Sequence, residues 1–406
     1  MLLSGISKSR QKGDAVMGTF SPVFDRLARP VAFIKAEDEA LGVAHILVES
    51  AVPTGDGSYE KAILDHLLRS GLLGISVSTD YGGIDVSNVL LSTICCVLAK
   101  ACPTLGAMLA GHYGALELLR SHGSEAQKSY FFAAALAGMR LARVKAPSAA
   151  SLKDRGLHLS YNGLGWSLNG TGMASPNATS ADWIMVSVHD QAEEPAHLFF
   201  PGGTATMTLI ANSLSDKSQP DRGEPVLFRD QRGEMDAQLQ TRRPAQGPGV
   251  PQAMELLLQA SVELGRGKAA FSQLFASPVL APSHLTDDTF EPDFDPSKTG
   301  AIADAALRLA TAEAVIEKAA SAIDAAQIGT QDRHRHTAFL IASAANAAAV
   351  EASTIAQSVA ADPRFAHATA TLGGVEFESA DAGIIVSLLR KGTLGLSGFS
   401  DDDSNG

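Results

Sequence analysis

The sequence has little of what marks a specialised chain. Its 406 residues include three cysteines, two tryptophans and 32 lysines and arginines, against 44 aspartates and glutamates. The net charge of −12 and the pI near 5.4 exclude a general nucleic-acid binder, because neutralising a phosphate backbone needs clustered Lys and Arg. Cys95, Cys96 and Cys102 share one apolar stretch and form no CxxC or Cys/His spacing. Adjacent thiols do not readily bridge each other, so they read as buried thiols in a reducing compartment, with neither a disulfide framework nor a metal site. The N-terminal "MLLSGISKSRQKGDAVMG" lacks a long apolar core, and no run reaches transmembrane length. The resulting expectation is a cytoplasmic protein with no membrane or nucleic-acid partner.

What is present is a chain 45% hydrophobic, long enough for two or three domains. Residues 1–140 read as an all-α domain. In "YEKAILDHLLRSGLLGISV", Ile63, Leu67, Leu68 and Leu72 fall at helical spacing, with Gly71 and Gly74 as stops. "NVLLSTICCVLAKAC" reads as an apolar helix, Pro103 opens a new segment, and Ser124 with Gln127 forms a capping-box pair. From 141 to 246 the texture changes to alternating strands around Asn-Gly turns, as in "LHLSYNGLGWSLNGTGM", which predicts a small β domain. Residues 247–395 return to long, Ala-rich amphipathic helices of the kind found in antiparallel bundles, and 396–406 is expected to be a disordered tail.

Three segments carry a resemblance: "LLRSGLLGISVSTDYGGIDVS", "HYGALELLRSHGSEAQKSYFF" and "WSLNGTGMASPNATSADWIMVSV". Together they resemble the acyl-CoA dehydrogenase superfamily of flavoproteins, strongly over residues 60–190 and in outline beyond 250. The resemblance implies an α+β fold with an N-terminal helical domain, a middle β-barrel and a C-terminal four-helix bundle, assembled as a homo-oligomer, by family habit a tetramer. "GHYGALELLRSHGSEAQK" is similar to the flavin-dependent monooxygenases of the dibenzothiophene-desulfurisation type, in which a histidine at the His112 position lines the flavin pocket. That branch implies FAD or FMN, a small-molecule substrate, and reduced flavin supplied by a separate flavin reductase. An ordinary acyl-CoA dehydrogenase passing electrons to an electron-transfer flavoprotein, and a degenerate non-catalytic member, are the alternatives.

Chemistry with reduced flavin and O2 needs a dry pocket and donors that tune protonation. His112 and Ser175 are the residues the resemblance puts forward as catalytic, Ser175 also as flavin-lining. Read by itself, His112 also fits an imidazole bonding a helix end, and Ser175 a serine in a turn. The dehydrogenase segment "T-E-P-x-x-G-S-D" appears here as "LARVKAPSAASLKD", which leaves Lys145 and Ser148 as cofactor-binding candidates. The family's lysine and aromatic become Gly172 and Ala174, removing a ring contact. In "QDRHRHTAF", Arg333 and Arg335 are candidates for a flavin phosphate, or else an exposed basic turn. Glu376 or Glu378 in "GGVEFES" could serve as a dehydrogenase-type base, with His367 displaced from the bundle histidine of the monooxygenase branch and Gly373 standing in its place.

Overall fold

The computed structural model describes residues 31–49, 58–146, 156–163, 165–190, 194–210, 223–239, 248–276, 296–329 and 331–362. Five helices come first: α1 (Glu37–Glu49), α2 (Ser58–Arg69), α3 (Asn88–Ala101), α4 (Pro103–His122) and α5 (Glu125–Leu136). Strands β1 (Leu141–Lys145), β2 (His158–Tyr161), β3 (Gly165–Ala174), β4 (Trp183–His189), β5 (Pro195–Pro201), β6 (Met207–Leu209), β7 (Glu224–Glu234) and β8 (Gln238–Leu239) follow. Three long helices close the described chain: α6 (Val250–Ala276), α7 (Pro296–Ile328) and α8 (Asp332–Ala361). Three bundle helices lie among the described residues; residues 363–395 of the expected bundle and the expected tail at 396–406 lie outside them.

Local signals account for most boundaries. Pro103 sits in the first turn of α4, where its missing N–H costs nothing. Ser124 caps α5 through its side chain while Gln127 reaches back to the Ser124 backbone, satisfying two otherwise orphaned donors. The first Asn-Gly, Asn162–Gly163, turns the β2–β3 hairpin, with Gly163 at φ 90°. The second, Asn169–Gly170, does not turn. Gly170 adopts φ 107° inside β3 and shifts the register against β7, so the dipeptide makes a bulge in a strand that runs on to Ala174.

The strands form one sheet in the order β6-β7-β3-β1-β4-β5-β8, with β2 paired to β3. All pairings are antiparallel except β1 with β4. β1 therefore lies at the middle of the sheet, and its burial is nearly complete from Leu141 to Val144. The sheet's core is aromatic: Phe131 of α5 stacks on Phe199 and meets Trp183 edge-on, while Phe200 meets Phe228.

α6 packs against both α7 and α8 and also against α3 and α4, so it is the element shared by the bundle and the N-terminal helices. Helix α8 is long and apolar enough to cross a bilayer, yet its buried alanines (Ala338, Ala342, Ala345, Ala349, Ala352 and Ala356) form the stripe by which it packs into the bundle. Small side chains at this spacing let helices approach closely. A polar joint ties α7 to the N-terminal helices: the Asn88 side chain donates to Asp324 and Gln327, and Gln327 donates to the buried Glu117 of α4.

Gly170→Ala tests the bulge. A Cβ there would collide with the Gly156 carbonyl in a conformation that L side chains avoid. The variant is expected to lose about 2 kcal/mol in urea unfolding; an unchanged midpoint would show that β3 runs without the bulge.

Candidate functional site

The site lies where helix α4, the sheet and helix α6 meet, and β1 builds it. Residues two apart on a strand share a face, so Leu141, Arg143 and Lys145 project to one side of β1. At the start of the strand, the Leu141 N–H donates to Nδ1 of His112 at 3.1 Å. Nε2 of His112 lies 2.9 Å from the Leu73 carbonyl, so the ring is the Nε2–H tautomer, accepting at one nitrogen and donating at the other. Next to it, the Tyr113 hydroxyl donates to the Leu72 carbonyl at 2.8 Å. Two consecutive residues of α4 thus hold the short turn Leu72–Gly74, and one of them also holds the head of β1.

His112 is wholly buried, both of its ring nitrogens are taken by backbone groups, and it sits in the middle of α4. The Gly-rich surroundings of His112 suggest a gap at a helix head, but Gly111 and Gly114 lie inside the helix and serve contacts with the sheet. At Gly111 a Cβ would come within 3.0 Å of the Ser175 Cβ, and the Gly114 carbonyl accepts from Arg143. In this geometry His112 supports the site through β1 and faces no open space. Burial, with a smaller push from Arg140, brings its pKa down to about 4 against the bond to Leu73.

Arg143 is the centre of the arrangement. Its side chain is 7% exposed and donates to the Gly114 carbonyl at 3.1 Å, the Ser187 hydroxyl at 3.0 Å and a Glu255 oxygen at 3.5 Å. Its Nε is buried with no partner among the described residues. Its backbone pairs with Ser175 in both directions: Ser175 N–H donates to the Arg143 carbonyl at 2.7 Å, and Arg143 N–H donates to the Ser175 hydroxyl at 3.1 Å. Ser175 therefore stands beside β1 at the end of β3, half-buried, with its hydroxyl proton still available to donate.

Behind Arg143, the Ser187 hydroxyl meets Nδ1 of His197 at 2.9 Å, and His197 stacks on His122 at the end of α4. Burial, reinforced by Arg143, pulls the His197 pKa down to about 3, and burial also lowers that of His122. Both imidazoles are neutral at physiological pH and add no charge to the cluster. Lys145 forms an ion pair with Glu255, the residue that α6 contributes. Burial pushes the Glu255 carboxyl up, but Lys145 and Arg143 outweigh it and the net shift is downward. Burial lowers Lys145, with Glu255 opposing and Arg143 adding to the fall. The Lys145 and Glu255 side chains are 43% and 38% exposed, so the cluster has a buried floor and an open mouth.

Of the residues put forward from the sequence, Lys145 ends β1, Ser175 follows β3 and pairs with Arg143, and His112 holds the Leu141 N–H at the head of β1. Ser148, His367, Gly373, Glu376 and Glu378 lie outside the described residues. Arg333 and Arg335 occupy the first turn of α8, where Arg335 pairs with Asp332 of the same turn. Neither bonds to β1, β3 or α6 among the described residues. Arg143, Ser187, His197 and Glu255 were not singled out from the sequence. A signal for the first was there: "LARVK" places Arg and Lys at i and i+2 in an otherwise apolar strand. Glu255 stands similarly alone in "AMELLLQ". Among the described residues there is no group of His, Cys, Asp and Glu that could hold a metal ion.

His112→Ala should cost about 3 kcal/mol, because it orphans the Leu141 N–H and the Leu73 carbonyl and leaves a void. The pH dependence follows from the depressed pKa. A histidine held near 4 when folded and near 6.5 when unfolded contributes stability that is fully present above about 6.5 and is lost as pH falls toward 4. Urea midpoints across that window should slope less steeply for His112→Ala than for the native chain; parallel slopes would contradict the placement of His112.

A family model described as acyl-CoA dehydrogenase, N-terminal domain, matches residues 47–139. Among solved structures, FMN-bound TdsC from Paenibacillus sp., elsewhere described as dibenzothiophene monooxygenase, matches at a TM-score of 0.64 and 18% identity, covering 89% of this chain and 96% of its own. Methanesulfinate monooxygenase MsuC from Pseudomonas fluorescens matches at 0.61 and 16%, covering 90% of this chain and 97% of its own. A nitrososynthase from Micromonospora carbonacea var. africana matches at 0.58 and 15%, covering 93% and 98%. Among curated protein sequences none matches. Residues 47–139 match the acyl-CoA dehydrogenase N-terminal domain, and the chain as described has an acyl-CoA dehydrogenase-like fold.

Proposed function

We propose that the protein is a flavin-dependent monooxygenase that works with a separate flavin reductase on a small-molecule substrate. The observation that carries this reading is the position of the open, cationic mouth at Lys145. It lies at the junction of helical domain, sheet and bundle, in a fold that FMN-bound TdsC matches over 89% of the chain. When bound, reduced FMN or FAD supplies the electrons that allow O2 to give one oxygen atom to a substrate.

The residues present fit such a group. The Lys145 ammonium offers donors to an electron-rich ring edge, and the Ser175 hydroxyl keeps a proton to donate. Ala174 and Gly172 present no ring to stack on, so the chain would hold the flavin by its polar edge more than by aromatic contact. Arg143, fixed from α4, β4 and α6, orients Lys145 through the strand and keeps the floor of the site closed to water. His112 acts as a positioning residue, setting where β1 begins. Exposed apolar side chains on the bundle, Leu307, Leu340 and Ile328, support assembly as a homo-oligomer in solution.

A non-catalytic reading is favoured by one observation, the commitment of both His112 nitrogens to backbone. Titration of the purified chain with FMN and FAD, oxidised and then dithionite-reduced, followed by visible absorbance and fluorescence, separates the readings. Preferential binding of a reduced flavin is expected, weakened about tenfold by Lys145→Met through loss of a charge-assisted bond. No binding of either flavin in either redox state would overturn the enzyme reading.

A further inference from the structure

The cluster at the mouth is unbalanced in charge and in burial. Two cations, Arg143 and Lys145, face a single carboxylate, Glu255, and among the described residues no other acid pairs with either. The neighbouring His197 and His122 are held neutral by burial. One positive charge is therefore left over, in a chain whose net charge is −12. An electropositive spot on an acidic protein draws anions locally while the rest of the surface repels them.

The partners of Arg143 cannot leave, since Gly114 is backbone of α4 and Ser187 is fixed in β4. Glu255 is the exception. Its side chain opens to solvent and comes from a helix of another domain. Its contact with Arg143 is 3.5 Å, well beyond the length of a good charge-assisted bond, about 2.7–2.9 Å. A carboxylate tethered to α6 pairs closely with Lys145 and meets the guanidinium only at 3.5 Å. A free carboxylate of the same shape can satisfy both.

We propose that Lys145 and Arg143 form the recognition site for an anionic group on the substrate, a carboxylate or a similarly shaped oxyacid, and that Glu255 is a resident counter-ion which such a group displaces. This deepens the flavin reading and rests on it for treating the occupant as substrate. The substrate class is then a small organic acid, and its uncharged counterparts are discriminated against.

Isothermal titration of the full chain with benzoate and with benzamide, in the presence and absence of FMN, tests the proposal without any turnover. Benzoate should bind at least about tenfold more tightly than benzamide, the value of one charge-assisted bond. Lys145→Met should abolish that preference, and Glu255→Gln should tighten benzoate several-fold by removing the competitor. Benzoate and benzamide binding alike, or Glu255→Gln weakening benzoate, would overturn the proposal. Benzoate and FMN excluding each other would overturn it too, because Lys145 would then serve one of them at a time and not a flavin edge and a substrate carboxylate together. Preferred benzoate binding by a chain that takes no flavin keeps the anion site and sinks the flavin reading. FMN binding with no benzoate preference does the reverse.

Discussion

Burying the Arg143 guanidinium is the constraint around which the three parts of the chain are arranged. A desolvated charge is costly unless most of its donors are used and a counter-charge is near. No single layer of this fold supplies both. The helical domain gives a carbonyl from Gly114, the sheet gives the Ser187 hydroxyl, and the bundle gives the Glu255 carboxylate. The positions of α4, β4 and α6 are therefore coupled through one side chain. Its strand, β1, lies in the middle of the sheet with a partner on each side.

The supports around Arg143 are mostly backbone groups held by side chains. His112 and Tyr113 fix the turn at residues 72–74, His112 fixes the head of β1, and Ser175 closes a two-way pair with Arg143 itself. On the other side of α4, Glu117 joins Gln327, Asn88 and Asp324 and keeps α7 against the N-terminal helices. Burial pushes the Glu117 carboxyl up, so the joint relies on hydrogen bonding as much as on charge. Together these contacts make the three-way junction stiff at its floor, while Lys145 and Glu255 at the mouth remain in contact with solvent. A rigid floor with an adaptable rim suits a binding site better than a purely structural salt bridge, which gains little from exposure.

Much of this architecture is legible in the sequence because it is written in local signals. Apolar spacing, Pro103, the Ser124–Gln127 box and Asn162–Gly163 each act within a few residues, and the elements they predict are present. Where the structure departs, long-range packing has overruled a local preference. Asn169–Gly170 looks like a turn but becomes a bulge because β7 pairs along both sides of it. Gly111 and Gly114 look like a break before a helix but lie within α4, since their lack of a side chain lets Ser175 and Arg143 approach. The site was half legible for the same reason. Lys145 and Ser175 stand in motifs, whereas Glu255 reaches Lys145 from over a hundred residues away, a partnership no local pattern records.

The central claim is that the cationic mouth at the end of β1 is where this chain holds its flavin and faces its substrate. The most direct measurement is a crystal structure of the protein grown with reduced FMN. The account predicts density for the ring system between β1 and α6, with its polar edge within hydrogen-bond reach of Lys145. A flavin seated elsewhere in the molecule, with the Lys145–Glu255 pair undisturbed and facing only solvent, would contradict it.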